Sequence, residues 1–263
     1  MKILLPTDFS ENSLKSIDYA IFIFGDKEVQ YHLLHTFEII STRTSVGIGE
    51  LKSEMEKQAD EHLVKLANEL IKKHPQIKLS LEYKYGALSD LIHQNQKEDY
   101  DFIVMGTKGS SGLKEVFLGS NTWDVIANTN IPVLSVPQMV DFKQDIKLLF
   151  AIDPYNLPSK KVIEILLKME EYTSFDINIL VIKNNGDFKL NEINELFKGI
   201  RFNLIMAENE DVEEAIEIYQ QKKHIDLLVM VNQKRSFWEN LFHNSITKKL
   251  TFHSKSPLLT IKD

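Results

Sequence analysis

The segment Asp101-Phe102-Ile103-Val104-Met105 returns as Asp226-Leu227-Leu228-Val229-Met230, and Ile131-Pro132-Val133-Leu134 returns as Ser256-Pro257-Leu258-Leu259. Both pairs are 125 positions apart (226 − 101 and 257 − 132). A third pair, Lys2-Ile3-Leu4-Leu5-Pro6-Thr7-Asp8 and Lys147-Leu148-Leu149-Phe150-Ala151-Ile152-Asp153, is separated by 145 (153 − 8). A chain of 263 residues is long enough for two ordinary domains or one large one, so length alone leaves the choice open. The repeat decides it in favour of two copies of one unit, over 1–138 and 145–263. Because the later offset is smaller, the second copy is shorter in its middle. The linker between them has no Gly/Ser-rich stretch, which predicts halves that pack together instead of swinging freely.

Within the first copy, short apolar runs alternate with helical periods, the pattern of a parallel sheet with crossover helices. Ile3-Leu4-Leu5 reads as a buried strand. Ser10 is placed to cap a helix whose stripe is Leu14, Ile17, Ala20, Ile21 and Phe24. Residues 31–37 read as the second strand. After a flexible-looking stretch over 41–49, Leu51, Met55, Ala59, Leu63, Leu66 and Leu70 mark one face of a long helix that Pro75 ends. A third strand over 79–85 leads to a helix holding Leu88, Leu91 and Ile92. The fourth strand, Phe102 to Met105, runs straight into Gly106, a fourth helix begins near Ser120, and Val133-Leu134-Ser135-Val136 is the fifth strand. In the second copy the long helix has only a shorter counterpart over 190–197.

Composition narrows the function. A hydrophobic share of 43% and a charged share of 26% are those of a globular protein with enough apolar material for real cores. The formal net charge of −7, with lysines interspersed among acids, argues against nucleic acid as a partner. Cysteine is missing, which removes disulfides, thiolate metal sites and cysteine nucleophiles and fits a cytoplasmic location. No run approaches the roughly 20 apolar residues of a membrane span, and the N-terminus meets an acid too early for a signal peptide, so a soluble, unprocessed chain is expected.

The chemistry concentrates in Gly106-Thr107-Lys108-Gly109 and Gly119-Ser120-Asn121-Thr122. In doubly wound sheets ligands bind beyond the carboxyl ends of the strands, where strand order reverses. Gly106 and Gly109 let the backbone turn and approach a phosphate with no Cβ in the way. Gly119 and Ser120 stand at a helix start, where free N–H groups and the dipole attract anions. On physics alone such a loop is equally a plain turn or cap. Ser120 is expected to cap its helix with or without phosphate, Asp8 is either a ligand group or the cap of the first helix, and Lys108 is either a phosphate partner or a solvated lysine. His32 and His35, three apart on a strand, point to opposite faces and form no metal pair. His62, His74 and His93 have no metal-ligand spacing.

The full spacing, Gly106-x2-Gly109-x9-Gly119-Ser120, resembles the nucleotide-binding signature of the ATP-binding branch of the universal stress protein family. Pro6-Thr7-Asp8-Phe9-Ser10, Leu33-Leu34-His35 and Ile131-Pro132-Val133-Leu134-Ser135-Val136 also look like that family's first, second and last strands. The resemblance covers residues 1–137 and, more weakly, the remainder. It implies an α/β fold of two tandem doubly wound parallel five-stranded sheets, adenine nucleotide alpha hydrolase-like, in strand order 3-2-1-4-5. By the same resemblance Pro6, Thr7 and Asp8 lie against adenine and ribose, Thr36 lies by the adenine, and Met105, Gly106, Lys108 and Gly109 line the ribose and triphosphate. Gly119, Ser120, Asn121 and Thr122 form the phosphate-binding helix start. The ligand is then ATP, or ADP or AMP, with any Mg2+ held mainly by the phosphates.

At an offset of 125 the second copy has Val231, Lys234 and Asn244 in place of Gly106, Gly109 and Gly119, while Ser120 persists as Ser245. Ser245 and Thr247 read as helix-start residues, and Phe237, Trp238, Leu241 and Phe242 as packing groups. One nucleotide per chain is expected, in a nucleotide-responsive stress or regulatory protein whose copies pair through their last strands as an internal pseudo-dimer, with a homodimer as a further possibility. Two alternatives stay open: a slow Mg-dependent ATPase using Asp8 and Lys108, and a nucleotide-free interaction scaffold. A phosphorylation receiver lacks its paired acids here, and an adenylating pyrophosphatase lacks its Ser-Gly-Gly loop.

Overall fold

The computed structural model describes residues 1–39, 48–94, 100–107, 119–153, 155–182, 190–207, 212–233 and 256–263. The first half comprises β1 (Lys2–Pro6), α1 (Glu11–Phe24), β2 (Gln30–Phe37), α2 (Ile48–Lys73), β3 (Lys78–Tyr85), α3 (Leu88–Gln94), β4 (Phe102–Gly106), α4 (Ser120–Asn128) and β5 (Val133–Val136). The second comprises β6 (Asp145–Ile152), α5 (Lys160–Glu170), β7 (Ser174–Ile182), α6 (Leu190–Leu196), β8 (Phe202–Ala207), α7 (Val212–Lys223), β9 (Leu227–Asn232) and β10 (Leu258–Lys262).

These strands form one ten-stranded sheet in the order β3-β2-β1-β4-β5-β10-β9-β6-β7-β8. Numbered from its own first strand, each half has the expected order 3-2-1-4-5, and its neighbours run parallel. The two five-stranded sheets are continuous: β5 pairs antiparallel with β10, with Leu134 opposite Leu259, Ser135 opposite Leu258 and Val133 opposite Thr260. The Ser135 hydroxyl donates across this seam to the Leu258 carbonyl at 3.1 Å.

The sequence offsets reappear as strand register. Ile103 pairs with Val133 and Leu228 with Leu258, each partner shifted by 125 (228 − 103 and 258 − 133). Ile3 pairs with Phe102 and Leu148 with Leu227, which reproduces both 145 (148 − 3) and 125 (227 − 102). The repeated acid has a structural duty. Asp101 accepts from the Lys2 N–H at 2.7 Å and Asp226 from the Lys147 N–H at 3.0 Å, so each holds the entry of its copy's first strand.

The central strands are apolar throughout because they are covered on both faces. Along β4, Phe102 and Val104 enter one hydrophobic cluster with α1, while Ile103 and Met105 enter the other with α3 and α4. Ser10 caps α1, its side chain accepting from the Ser13 N–H, and Gly25 ends the helix at φ 78°. The long helix differs from expectation at its start, since Leu51 is 50% exposed while Ala59, Leu63, Leu66 and Leu70 are buried. Twenty-six helical residues span about 39 Å, and the eight-residue strands beneath span about 27 Å, so the first turns of α2 overrun the sheet. In the second copy α6 has only seven residues, where the shorter counterpart was expected.

The linker is fastened down. Phe142 packs against Phe22 and Tyr19, with ring centroids 5.1 and 5.4 Å away, and the Lys15 ammonium lies 4.4 Å from its ring centre. Lys143 pairs with Asp226 at 2.6 Å, and across the halves Lys168 pairs with Asp101 at 2.5 Å. Among the described residues no helix is long and apolar enough to cross a membrane. Leu259 is fully buried at the seam. Leu259→Ala should therefore cost about 2–5 kcal/mol, checked by urea unfolding of the whole chain.

Candidate functional site

β1 lies between β2 and β4, and the helices that follow β1 and β4 pack on opposite faces of the sheet. The carboxyl ends of β1 and β4 therefore flank the crevice at the order reversal, where ligands of such sheets bind. Pro6 closes β1 and the chain turns through Thr7, Asp8 and Phe9 into the cap at Ser10. Thr7 is buried. Its N–H donates to the Leu34 carbonyl at 2.9 Å, its carbonyl lies 2.8 Å from His35 Nδ1, and its hydroxyl accepts from the Phe9 N–H at 3.0 Å. Phe9 takes a left-handed φ of 60°, and its ring packs tilted against His35 and His62, with centroids 4.6 and 5.2 Å away.

Asp8 is exposed at this turn, and its Oδ1 accepts from the Ser10 N–H at 3.1 Å and the Ser10 hydroxyl at 2.6 Å. Of the two readings of Asp8, helix cap therefore falls to Ser10, which Asp8 orients. Thr36 is half-buried near the end of β2.

At the end of β4, Met105 is buried and Gly106 has a packing role that the sequence did not show. A Cβ on Gly106 would lie 2.3 Å from Asn12 Nδ2 and 2.9 Å from Asn12 Cγ. The space is taken by Asn12 of α1, so the approach of that helix to β4 by itself requires a glycine here. The Thr122 hydroxyl, buried, donates to the Gly106 carbonyl at 2.8 Å. The Gly119 N–H donates to the Thr107 carbonyl at 2.5 Å. These two bonds fix the start of α4 against the end of β4.

Ser120 was expected as a cap, but Gly119 is the N-cap and Ser120 the first helical residue. Gly119 has extended backbone angles and no side chain, so the helix begins with no side-chain hydrogen bond. Ser120 and Asn121 are exposed, and the first turn carries no acid. The end of α4 thus presents N–H groups without intrahelical partners and the positive end of its dipole. Lys108 and Gly109 lie outside the described residues.

The histidines part as expected. While His35 meets Thr7, His32 contacts the Tyr100 hydroxyl through Nδ1 and Glu82 through Nε2 at 3.4 Å. Sequence reasoning did not foresee this Tyr100–His32–Glu82 chain, since its members come from separate elements with no shared motif.

A model of the universal stress protein family matches residues 1–137. The chain belongs to the universal stress protein family. The first half of this universal stress protein is similar to universal stress protein MJ0577 of Methanocaldococcus jannaschii, at 32% identity over 151 residues, 51% of this chain and 93% of that one. The whole chain is similar to universal stress protein Slr1230 of Synechocystis, at 23% identity over 288 residues and 99% of both chains. The crystal structure of a universal stress protein from Archaeoglobus fulgidus has the same fold over 99% of this chain and 98% of its own, with a TM-score of 0.77 at 22% identity.

The second universal stress protein copy ties the carboxyl ends of its strands to the start of α5. Val231, buried, pairs with Ile261 where Gly106 pairs with Val136. Asp153, the counterpart of Asp8, is buried and accepts from the Tyr155 N–H at 2.9 Å. The buried Gln233 amide donates to the Leu157 carbonyl at 3.2 Å and to Asp263 Oδ2 at 2.7 Å. Ser159, the N-cap of α5, donates its N–H to Asp263 Oδ2 at 2.7 Å and its hydroxyl to Oδ1. Lys234, Asn244, Ser245 and Thr247, with Phe237, Trp238, Leu241 and Phe242, lie outside the described residues.

Two outcomes follow from this geometry. Gly106→Ala should destabilise the protein by about 1–3 kcal/mol in chemical denaturation, and part of that loss should return in the double variant with Asn12→Ala. Desolvation raises the Asp263 carboxyl, but the bonds from Ser159 and Gln233, with Lys161 nearby, outweigh it and hold the group below the usual carboxylate range. A depressed folded-state pKa gives stability that is present above the unfolded value, about 3.9, and is lost as pH falls through the folded one. Asp263→Asn should be less stable than the parent at neutral pH, and unfolding curves of the two should converge on acidification.

Proposed function

We propose that the first half binds one adenine nucleotide, ATP or the related ADP or AMP, and that the protein acts as a nucleotide-responsive regulator in the stress response. The observation that carries this reading is the crevice between β1 and β4. An exposed carboxylate, Asp8, stands on one side of it, and the glycine-capped, acid-free N-terminus of α4 on the other. A helix start of this kind suits a phosphate, and a carboxylate at the first turn suits a ribose hydroxyl. Family membership supports the same ligand class through the glycine spacing that ends at Gly119.

Magnesium accompanying the nucleotide is held mainly through the phosphates, in the manner usual for that ion. Among the described residues no three His, Asp or Glu side chains gather into a metal cluster. The loss of the glycine spacing in the second half, where Lys234 and Asn244 stand at the places of Gly109 and Gly119, supports a single nucleotide per chain. We read the β5–β10 seam as a pseudo-dimer within the chain, through which occupancy of the first half is felt by the second.

Isothermal titration of the full chain with ATP and magnesium should give saturable binding with a stoichiometry near one. Absence of heat and of any thermal-shift response at millimolar nucleotide would overturn the reading, and a stoichiometry near two would overturn the asymmetry.

A further inference from the structure

The end of β4 holds a hydroxyl with no employment. Thr107 is 5% exposed, and its Oγ1 is fully buried with no hydrogen-bond partner. Its main chain is committed on both sides, the N–H donating to the Val136 carbonyl at 3.0 Å and the carbonyl accepting from Gly119. Among the described residues the buried hydroxyls close by are used: Thr7 accepts from the Phe9 N–H, Ser16 donates to the Ser13 carbonyl at 2.8 Å, and Thr122 donates to the Gly106 carbonyl. An unpaired buried hydroxyl costs free energy that a valine of the same shape would not. Packing therefore gives no reason for threonine here.

Strand alternation places the hydroxyl. Phe102 and Val104 face the α1 side of the sheet, and Gly106 follows them, with Asn12 over it. Ile103 and Met105 face the side covered by α3 and α4, and Thr107 falls in their series. The orphan hydroxyl thus lies on the α4 face, one hydrogen bond from the N-cap of that nine-residue helix. The dipole and the free N–H groups of α4 make the same spot suitable for an oxyanion.

We infer that the Thr107 hydroxyl is a specificity-determining donor to a phosphoryl oxygen held at the N-terminus of α4. This rests on the nucleotide reading and adds to it the residue that tells a ligand with a phosphate in that position from one without. The hydroxyl is kept at a cost to the ligand-free fold and is satisfied only in the complex.

The two states give the test opposite signs. Thr107→Val should leave the ligand-free protein as stable as the parent or more so in thermal unfolding, and should weaken ATP binding about tenfold or more in titration, the range for a lost bond to a charged acceptor. Thr107→Ser, which keeps the hydroxyl, should bind ATP within a few-fold of the parent. Unchanged ATP affinity in Thr107→Val overturns the inference while leaving nucleotide binding intact. A lower unfolding temperature for ligand-free Thr107→Val also overturns it, since the hydroxyl is then a structural one. Failure of the parent chain itself to bind ATP removes the nucleotide reading and this inference with it.

Discussion

The antiparallel pairing of β5 with β10 is what turns two small sheets into one body. Each of these strands is the end of its own parallel sheet, and each is buried over nearly its whole length. Left as an edge, an apolar strand with unpaired N–H and C=O groups is a template for association with other chains. Here each covers the other, with Leu134 against Leu259 and the Ser135 hydroxyl on the Leu258 carbonyl. Pro132 and Pro257 sit at the two strand entrances, where a missing N–H does no harm and the carbonyl still receives a bond from β4 or β9. The linker rings and the Lys168–Asp101 pair fasten a contact that the backbone has already made.

Joining the copies through their last strands leaves the carboxyl ends of the first strands unblocked, and it is there that the halves diverge. In the first, short hydrogen bonds from Ser10 set Asp8 at the turn, and bonds from Gly119 and Thr122 set α4 against β4. In the second, the same rim is knitted together by Asp263, Ser159 and Gln233. A carboxylate of the chain itself sits at the start of α5, satisfying that helix end from within.

Much of this was legible in the sequence because strand register follows covalent spacing. An offset of 125 or 145 between like segments has to reappear as equal pairing in both copies if the copies share a topology, and it does for Ile103 with Val133 and Leu228 with Leu258. Apolar runs covered on two faces and capping serines are local signals and were readable for the same reason. Less was legible where a residue's task depends on what comes to lie against it. Gly106 also makes room for Asn12, which no local pattern shows, and Ser120 looked like a cap although Gly119 holds that position. Leu51 has the period of a core residue, but the strand beneath it is too short to cover it.

The sequence by itself determined the repeat, the alternation of strand and helix and the placement of glycines and hydroxyls near the first crevice, since each is written in the spacing of neighbouring residues. Only the tertiary structure decided which hydroxyls are spent, which glycine answers to packing, and that Asp263 holds the start of α5. Those depend on contacts between residues far apart in the chain, such as Thr122 with Gly106, 16 positions away, and Ser159 with Asp263, 104 positions away. Burial and hydrogen-bond satisfaction are properties of a packed arrangement, and no local pattern encodes them.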